Sequence, residues 1–231
     1  GYSISGTLTM EATKIFVGIF GFGKGATIQN LSFKGNINEC KAPSLGSIIG
    51  YVIDTQIVNC HNTAALINKG QYVGGIVGFG GGTIIACSNS GAITNNETNS
   101  FTGGIAGTND RIIIGCFNTA SIVGNNQVGG IVGSCREITT CWSAANTITA
   151  TGDRANKGGI AASPQKAKYC YWKAIDGISG TSTGNVENCE AFSGDTPSAD
   201  QIKAMNDAWQ AADADREYQF NATTGMIEKK P

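Results

Sequence analysis

Val73-Gly74-Gly75-Ile76-Val77-Gly78, followed by Ile84-Ile85-Ala86-Cys87-Ser88-Asn89, is the stretch on which the reading of this chain turns. Both halves recur. Thr102-Gly103-Gly104-Ile105-Ala106-Gly107 and Val128-Gly129-Gly130-Ile131-Val132-Gly133 follow the first half, and Lys157-Gly158-Gly159-Ile160-Ala161-Ala162 is a degenerate last copy. Phe16-Val17-Gly18-Ile19-Phe20-Gly21 and Leu45-Gly46-Ser47-Ile48-Ile49-Gly50 precede it. The closing positions 21, 50, 78, 107, 133 and 162 lie 29, 28, 29, 26 and 29 residues apart. Intervals this similar define a repeat, which sets the fold before any local propensity is weighed.

The second half keeps the same period. Ile57-Val58-Asn59-Cys60-His61-Asn62 and Ile113-Ile114-Gly115-Cys116-Phe117-Asn118 match it, then Ile138-Thr139-Thr140-Cys141 and Val186-Glu187-Asn188-Cys189. Ile28-Gln29-Asn30-Leu31 is the first copy, with Leu in place of Cys. A third apolar column, Ile37, Leu66, Ile93, Ile122 and Ile148, trails each of these copies. Each repeat therefore carries three short Ile- and Val-rich segments broken by Gly, Asn and Ser, the pattern of β-strands joined by turns.

None of these segments can bury its apolar face alone. Stacking each turn of chain on the last extends three parallel sheets around a bore filled by the recurring Ile, Cys and Leu. A leucine-rich horseshoe has a similar period but needs Leu-rich spacing and usually a helix per repeat, and neither is visible. The fold expected is all-β: a single-stranded parallel β-helix of about six coils, three strands per coil, over residues 1–194.

Composition agrees. Of 231 residues, 33 are Gly and 41% are apolar, enough for a core and too much for wholesale disorder. The glycines lack a three-residue period, which excludes collagen. No run of 18 apolar residues exists, so this sequence holds no transmembrane segment. A net charge of −1 argues against a nucleic-acid partner. Residues 195–231 hold 11 of the 33 charges, a shift that marks a second unit. There, Ser198-Ala199-Asp200-Gln201 reads as a capping box, and Ile202, Met205, Trp209 and Ala212 form one helical stripe. Tyr218-Gln219-Phe220 and Met226-Ile227 read as short strands about a turn at Thr224-Gly225. A helix near 198–213 and a hairpin are thus expected to cap the open end of the solenoid.

The recurring Gly-Gly-Ile-Val-Gly followed by Ile-x-x-Cys-x-Asn resembles the GLUG repeat, over about residues 12–193, with Val17-Gly18-Ile19-Phe20-Gly21 nearest the family form. GLUG repeats occur in bacterial surface and secreted proteins, including adhesin-like proteins and non-catalytic parts of immunoglobulin-cleaving peptidases. The resemblance implies a cell-surface or extracellular location and a structural or binding role, and it attaches no catalytic residue.

The chemistry-bearing residues are few. Cys60, Cys87, Cys116, Cys141, Cys170 and Cys189 share one coil position and read as a ladder of free thiols in the bore. Cys40 and Cys135 lie off the ladder and are the expected exposed thiols. One His and no Cys-x-x-Cys pair give no metal site, and no cofactor motif is present. His61 and Ser88 occupy neighbouring coils but lack an orienting carboxylate and a strained nucleophile turn. Asp54, Glu97, Asp110, Asp153 and Asp176 fall at different repeat phases, which disfavours the clustered carboxylates of a carbohydrate-active β-helix enzyme, a lyase or glycoside hydrolase. Asp110-Arg111 reads as a surface turn. The glycine runs 21–25 and 78–82 lack the Gly-Lys-Ser/Thr ending of a phosphate loop and read as corners needing positive φ. Asn62, Asn89 and Asn118 read as a structural amide ladder.

If each ladder Cys points inward, the next residue points out. Phe117, Trp142 and Tyr171 would then form an aromatic strip, with Trp172 beside a shallow groove at the last coil. These four are the candidate ligand-binding residues, unless the tail folds over them. The linkers 94–101 and 149–157, projecting from one side, are the other candidate surface. The function expected is a non-enzymatic, adhesin-like module, here a monomer, that contacts a glycan or protein.

Overall fold

The structure is a computed structural model describing residues 2–9, 15–153 and 155–231. It is a parallel β-solenoid of about six turns, built from sheets of six, eight and twelve strands. The first sheet holds the residues that open each Gly-Gly motif, from Phe16–Val17 to Asn156–Gly158. The second runs from Phe20–Lys24 to Asn185–Glu187, and the third begins at β1 (Tyr2–Thr9) and carries the residues after each ladder Cys. No helix among the described residues is long and apolar enough to cross a membrane.

Every coil turns from the second sheet to the third at the residue before the ladder position. Asn30, Asn59, Ala86, Gly115, Thr140, Tyr169 and Asn188 all hold φ between 49° and 61°, the left-handed region. Thr140 is β-branched and costly there; its Oγ1 accepts the Gly115 N–H at 3.2 Å. The turn points the next residue into the bore, where Cys60, Cys87, Cys116, Cys141 and Cys170 are fully buried. The Cys60, Cys87 and Cys116 N–H groups donate to the sulfur of the following coil at 3.4, 3.3 and 3.3 Å. All eight thiols are free. Cys40 and Cys135, expected at the surface, are 2% and 5% exposed, because both also face the bore, Cys40 from a bulged strand and Cys135 from the strand opposite a bulge.

The amide ladder forms beside the thiols. Asn62 Nδ2 donates to Asn89 Oδ1 at 2.7 Å and Asn89 Nδ2 to Asn118 Oδ1 at 2.8 Å. The second glycine of the motif makes room for it in two coils: a Cβ on Gly75 would lie 2.7 Å from Asn89 Cγ, and one on Gly104 2.5 Å from Asn118 Cγ. These glycines permit close approach rather than a positive φ. The glycine runs 21–25 and 78–82 lie largely within strands, and only Gly25 and Gly80 take positive φ.

The C-terminal helix α1 (Ala199–Ala212) carries the expected capping box, Ser198 Oγ accepting from the Gln201 N–H. Ile202, Met205 and Trp209 are buried, while Ala212 is exposed beyond the end of the packed stripe. The hairpin pairs Tyr218–Phe220 with Ile227–Lys229. The unit lies along the flank of the solenoid rather than across its end. Trp209 sits on Gly115, and Tyr218 Oη donates to Asn30 Oδ1 of the first coil at 3.1 Å. The last coil is filled instead by Trp172, Ile175 and Ile178, which pack on the core.

Two outcomes follow. Seven of the eight thiols are buried and closed off, whereas Cys189 is half-buried; a thiol reagent at mildly alkaline pH should find Cys189 first in the native protein and all eight cysteines after denaturation. Gly115→Ala should cost about 1–2 kcal/mol for the left-handed corner and more for the clash, since a Cβ there meets the Trp209 ring at 2.2 Å. Gly25→Ala, with φ +60 and open space, isolates the first contribution in urea melts.

Candidate functional site

Phe117, Trp142 and Tyr171 do point away from the bore, and the Phe117 and Trp142 rings stack 4.8 Å apart and 5° from parallel. They are nevertheless only 7%, 0% and 4% exposed, because α1 and the hairpin lie over them. Trp142 Nε1 donates to the Gly225 carbonyl at 3.1 Å, and its ring meets Phe192 edge-on. The strip is a packing seam. Trp172 faces the bore, its ring against Gly159 and Gly180. Tyr171 keeps an edge in a groove of about 510 Å³ beside the helix N-terminus, with Glu190 and Asp200 in the wall. Burial and the Glu190 charge push its phenol up to about 12.

His61 and Ser88 do meet: His61 Nδ1 lies 2.7 Å from Ser88 Oγ, and Nε2 lies 2.9 Å from Asn59 Oδ1. Burial lowers the His61 pKa, which keeps the imidazole neutral at pH 7. The orienting group is an amide, and the Ser88 and Phe117 N–H groups are spent in the sheet ladder, leaving no such donor for an oxyanion. The linkers 94–101 and 149–157 gather on one side around a hollow of about 420 Å³. Asn125, between the two linkers in sequence, ties them together: its Oδ1 accepts from the Asn99 N–H and its Nδ2 donates to Thr151 Oγ1, both at 3.3 Å.

A groove of about 480 Å³ on the second sheet holds the richest unspent chemistry. Two bulges create it. Asp54, at φ 49°, is an extra residue opposite the Gly81/Gly82 pair, and the 110–111 stretch carries one more residue than its partner strand. A bulge leaves a residue unpaired and re-aims it, so Asp54, Asp110 and Arg111 project from the sheet face. Asp110-Arg111 is thus part of the Ala106–Ile114 strand, not a surface turn. Asn109 holds the bulge from inside, its amide exchanging hydrogen bonds with the Gly82 backbone at 2.9 and 3.0 Å. Arg111 crosses the glycine floor to ion-pair with Asp54 two coils away. The carboxylates Asp54 and Asp110, at different repeat phases in the sequence, therefore share one groove with Arg111 and Arg136. Arg136 is exposed and has no ion-pair partner among the described residues.

Aromatic rings border this groove. Phe22, Tyr51, Phe79, Tyr72 and Phe101 stack in sequence with centroids 5.5, 5.2, 4.4 and 5.5 Å apart. The ladder crosses the corner between the first and second sheets and shows ring edges to solvent. A signal for both features was present in the chain: ten residues separate Gly50 from Cys60, nine Gly78 from Cys87 and eight Gly133 from Cys141. Each lost residue is a bulge. The position after the closing glycine is aromatic in the first three coils, at Phe22, Tyr51 and Phe79.

The burial assigns different costs to the two aromatic sets. Trp142→Ala should destabilise the protein by about 3–5 kcal/mol, whereas Phe22→Ala, at a ring 51% exposed, should shift the urea midpoint far less.

No family model matches the chain, and no curated protein matches it. Among solved structures the chain is similar to that described as a "putative immunoglobulin A1 protease" from Bacteroides ovatus. The TM-score is 0.59 at 19% identity, covering 99% of this chain and 75% of that one. At this identity the likeness establishes a shared solenoid fold.

Proposed function

We propose that this chain is a non-enzymatic, adhesin-like binding module of a cell-surface or secreted protein, and that the bulged groove on the second sheet takes a glycan. The observation that carries the reading is the convergence of Asp54, Asp110, Arg111 and Arg136 with Tyr51 and Phe79 in one open groove. Carboxylates and guanidinium groups bind sugar hydroxyls, and neighbouring aromatic surface covers the apolar sugar faces. The Arg111–Asp54 pair has both side chains more than half exposed, so it contributes about 0–1 kcal/mol and can open at little cost. The surface location rests on the GLUG resemblance, and the similar solenoid from Bacteroides ovatus, described as an immunoglobulin A1 protease, belongs to the same setting of immunoglobulin-directed peptidases.

A second reading has the same groove as its support. Two carboxylates and two arginines on a parallel β-helix face are the groups that a carbohydrate-active enzyme would use on an acidic polysaccharide. One experiment separates the two: a panel of neutral and acidic oligosaccharides assayed for binding and for new chain ends. The binding reading expects retention without cleavage, and Arg136→Ala should weaken that binding about tenfold with an unchanged melting temperature. Release of shortened chains that Asp110→Asn abolishes would establish the enzyme instead.

A further inference from the structure

Cys189 differs from the other rungs of the thiol ladder in three ways. It is half-buried, whereas the other seven cysteines are buried. It closes the shortest coil: the ladder cysteines from Cys60 to Cys189 lie 27, 29, 25, 29 and 19 residues apart. It is also held by the least sheet. The coils before it run through the second sheet as strands of eight to ten residues, from Ile49–Val58 to Ala161–Lys168. The last coil adds only Asn185–Glu187 there, three exposed residues, and a single bridge from Thr181 to Ala161.

The neighbouring rung lies within its reach. Tyr171 and Glu190 are paired in register, so Cys170 and Cys189, each one residue earlier, sit opposite each other. Parallel neighbours stand about 4.8 Å apart, inside the ~4.4–6.8 Å that a disulfide spans between Cα atoms. The Cys170 N–H donates to Cys189 Sγ at 3.3 Å, so that sulfur already leans across the gap. Cys170 Sγ leans the same way, toward the Ile138 carbonyl of the coil before, and has only to rotate about χ1 to meet it. A disulfide also needs its Cβ atoms about 3.8 Å apart, so one coil must draw in by about 1 Å. Interior coils, clamped by long strands on both sides, resist this. The short last coil yields.

We propose that Cys170 and Cys189 form a redox pair, which a small-molecule disulfide oxidises to a cross-link that draws the last coil onto the solenoid. Cys189, as thiolate, attacks one sulfur of the oxidant and releases its first thiol. Cys170 then attacks the mixed disulfide at the Cys189 sulfur and releases the second. Two cysteine thiols and one small disulfide thus become one cross-link and two small thiols, which keep the two protons. The contraction leaves the link reducible, so the step runs in both directions. Glu190, Ala191 and Phe192 wall the groove beside Tyr171, and Phe192 meets Trp142, so oxidation of the last coil reshapes that groove.

The test treats the native protein with cystamine, whose ammonium groups suit the flanking Glu187 and Glu190, at mildly alkaline pH. The remaining thiols are then alkylated under denaturing conditions and the peptides mapped by mass spectrometry. The intact mass before alkylation should fall by two hydrogens, six of the eight cysteines should alkylate, and the Cys170 and Cys189 peptides should be joined. Amide exchange over residues 174–188 should slow in the linked protein, and dithiothreitol should restore all eight thiols. Cys170→Ser should stop the reaction with half a cystamine attached to Cys189, and Cys189→Ser should leave its seven thiols reduced. Far-ultraviolet circular dichroism reports whether each variant folds, and the peptide map of the unaltered chain decides the matter where one does not. Eight free thiols after treatment, a mixed disulfide on Cys189 as the end product in the unaltered chain, or a cross-link between any other two cysteines overturns the proposal. So does a Cys170–Cys189 link that speeds exchange in the last coil.

Discussion

Each coil passes through a residue in the left-handed region just before the ladder position, and the rest of the architecture depends on that corner. It fixes which way the following three residues point. The first enters the bore, as the cysteines do; the second leaves it, as Phe117, Trp142 and Tyr171 do; the third returns inward and forms the asparagine ladder. Seven corners at nearly the same φ keep these columns in register over the length of the solenoid. A shift of one residue at any corner would put a thiol on the surface and an aromatic ring in the bore. The corner also shapes the outer flank. Its side chain shrinks from Asn59 to Ala86 to Gly115 in three successive coils, and the space that opens is where Trp209 lies.

Because the corners hold the register, departures from regularity are forced into the strands between them, and those departures build the candidate groove. The second sheet shortens by one residue at Asp54 and again at Asp110-Arg111. In each case the surplus residue is expelled outward, where its charge stays in water instead of being buried. The expelled residues are the charged ones. The inward neighbour Asn109 is fully buried and satisfied by the Gly82 backbone. A regular repeat could not gather unlike charges on one face, because each column would repeat its own residue type. The groove is a product of length variation between repeats, not of the repeat itself.

The same distinction separates what was legible in the sequence from what was not. The repeat exposed the solenoid, the inward cysteines, the amide ladder and the alternation around each Cys, since these are properties of a period. The capping box and the Ile202, Met205 and Trp209 stripe exposed the helix, which is a local property. Where that helix docks is a long-range property with no periodic signature, so Phe117, Trp142 and Tyr171 read as a surface strip although they are the seam beneath it. Asp54 and Asp110 read as unrelated because phase was counted along an ideal coil. The decreasing spacing from closing glycine to cysteine carried the correction, and it has meaning only once each missing residue is read as a bulge.

The position of the C-terminal unit bears on how the solenoid manages its edges. A cap over one end would protect only the last coil. Laid along the flank, the helix and hairpin bury Trp142, Trp209 and Phe220 and tie the first coil to the last, through Tyr218 on Asn30 and through Phe192 against Trp142. Coils in a linear repeat otherwise contact only their neighbours and can fray independently from either end. A strap that spans them couples the corner at Asn30 to the seam at Trp142, so that opening the terminal coils also disrupts contacts in the middle.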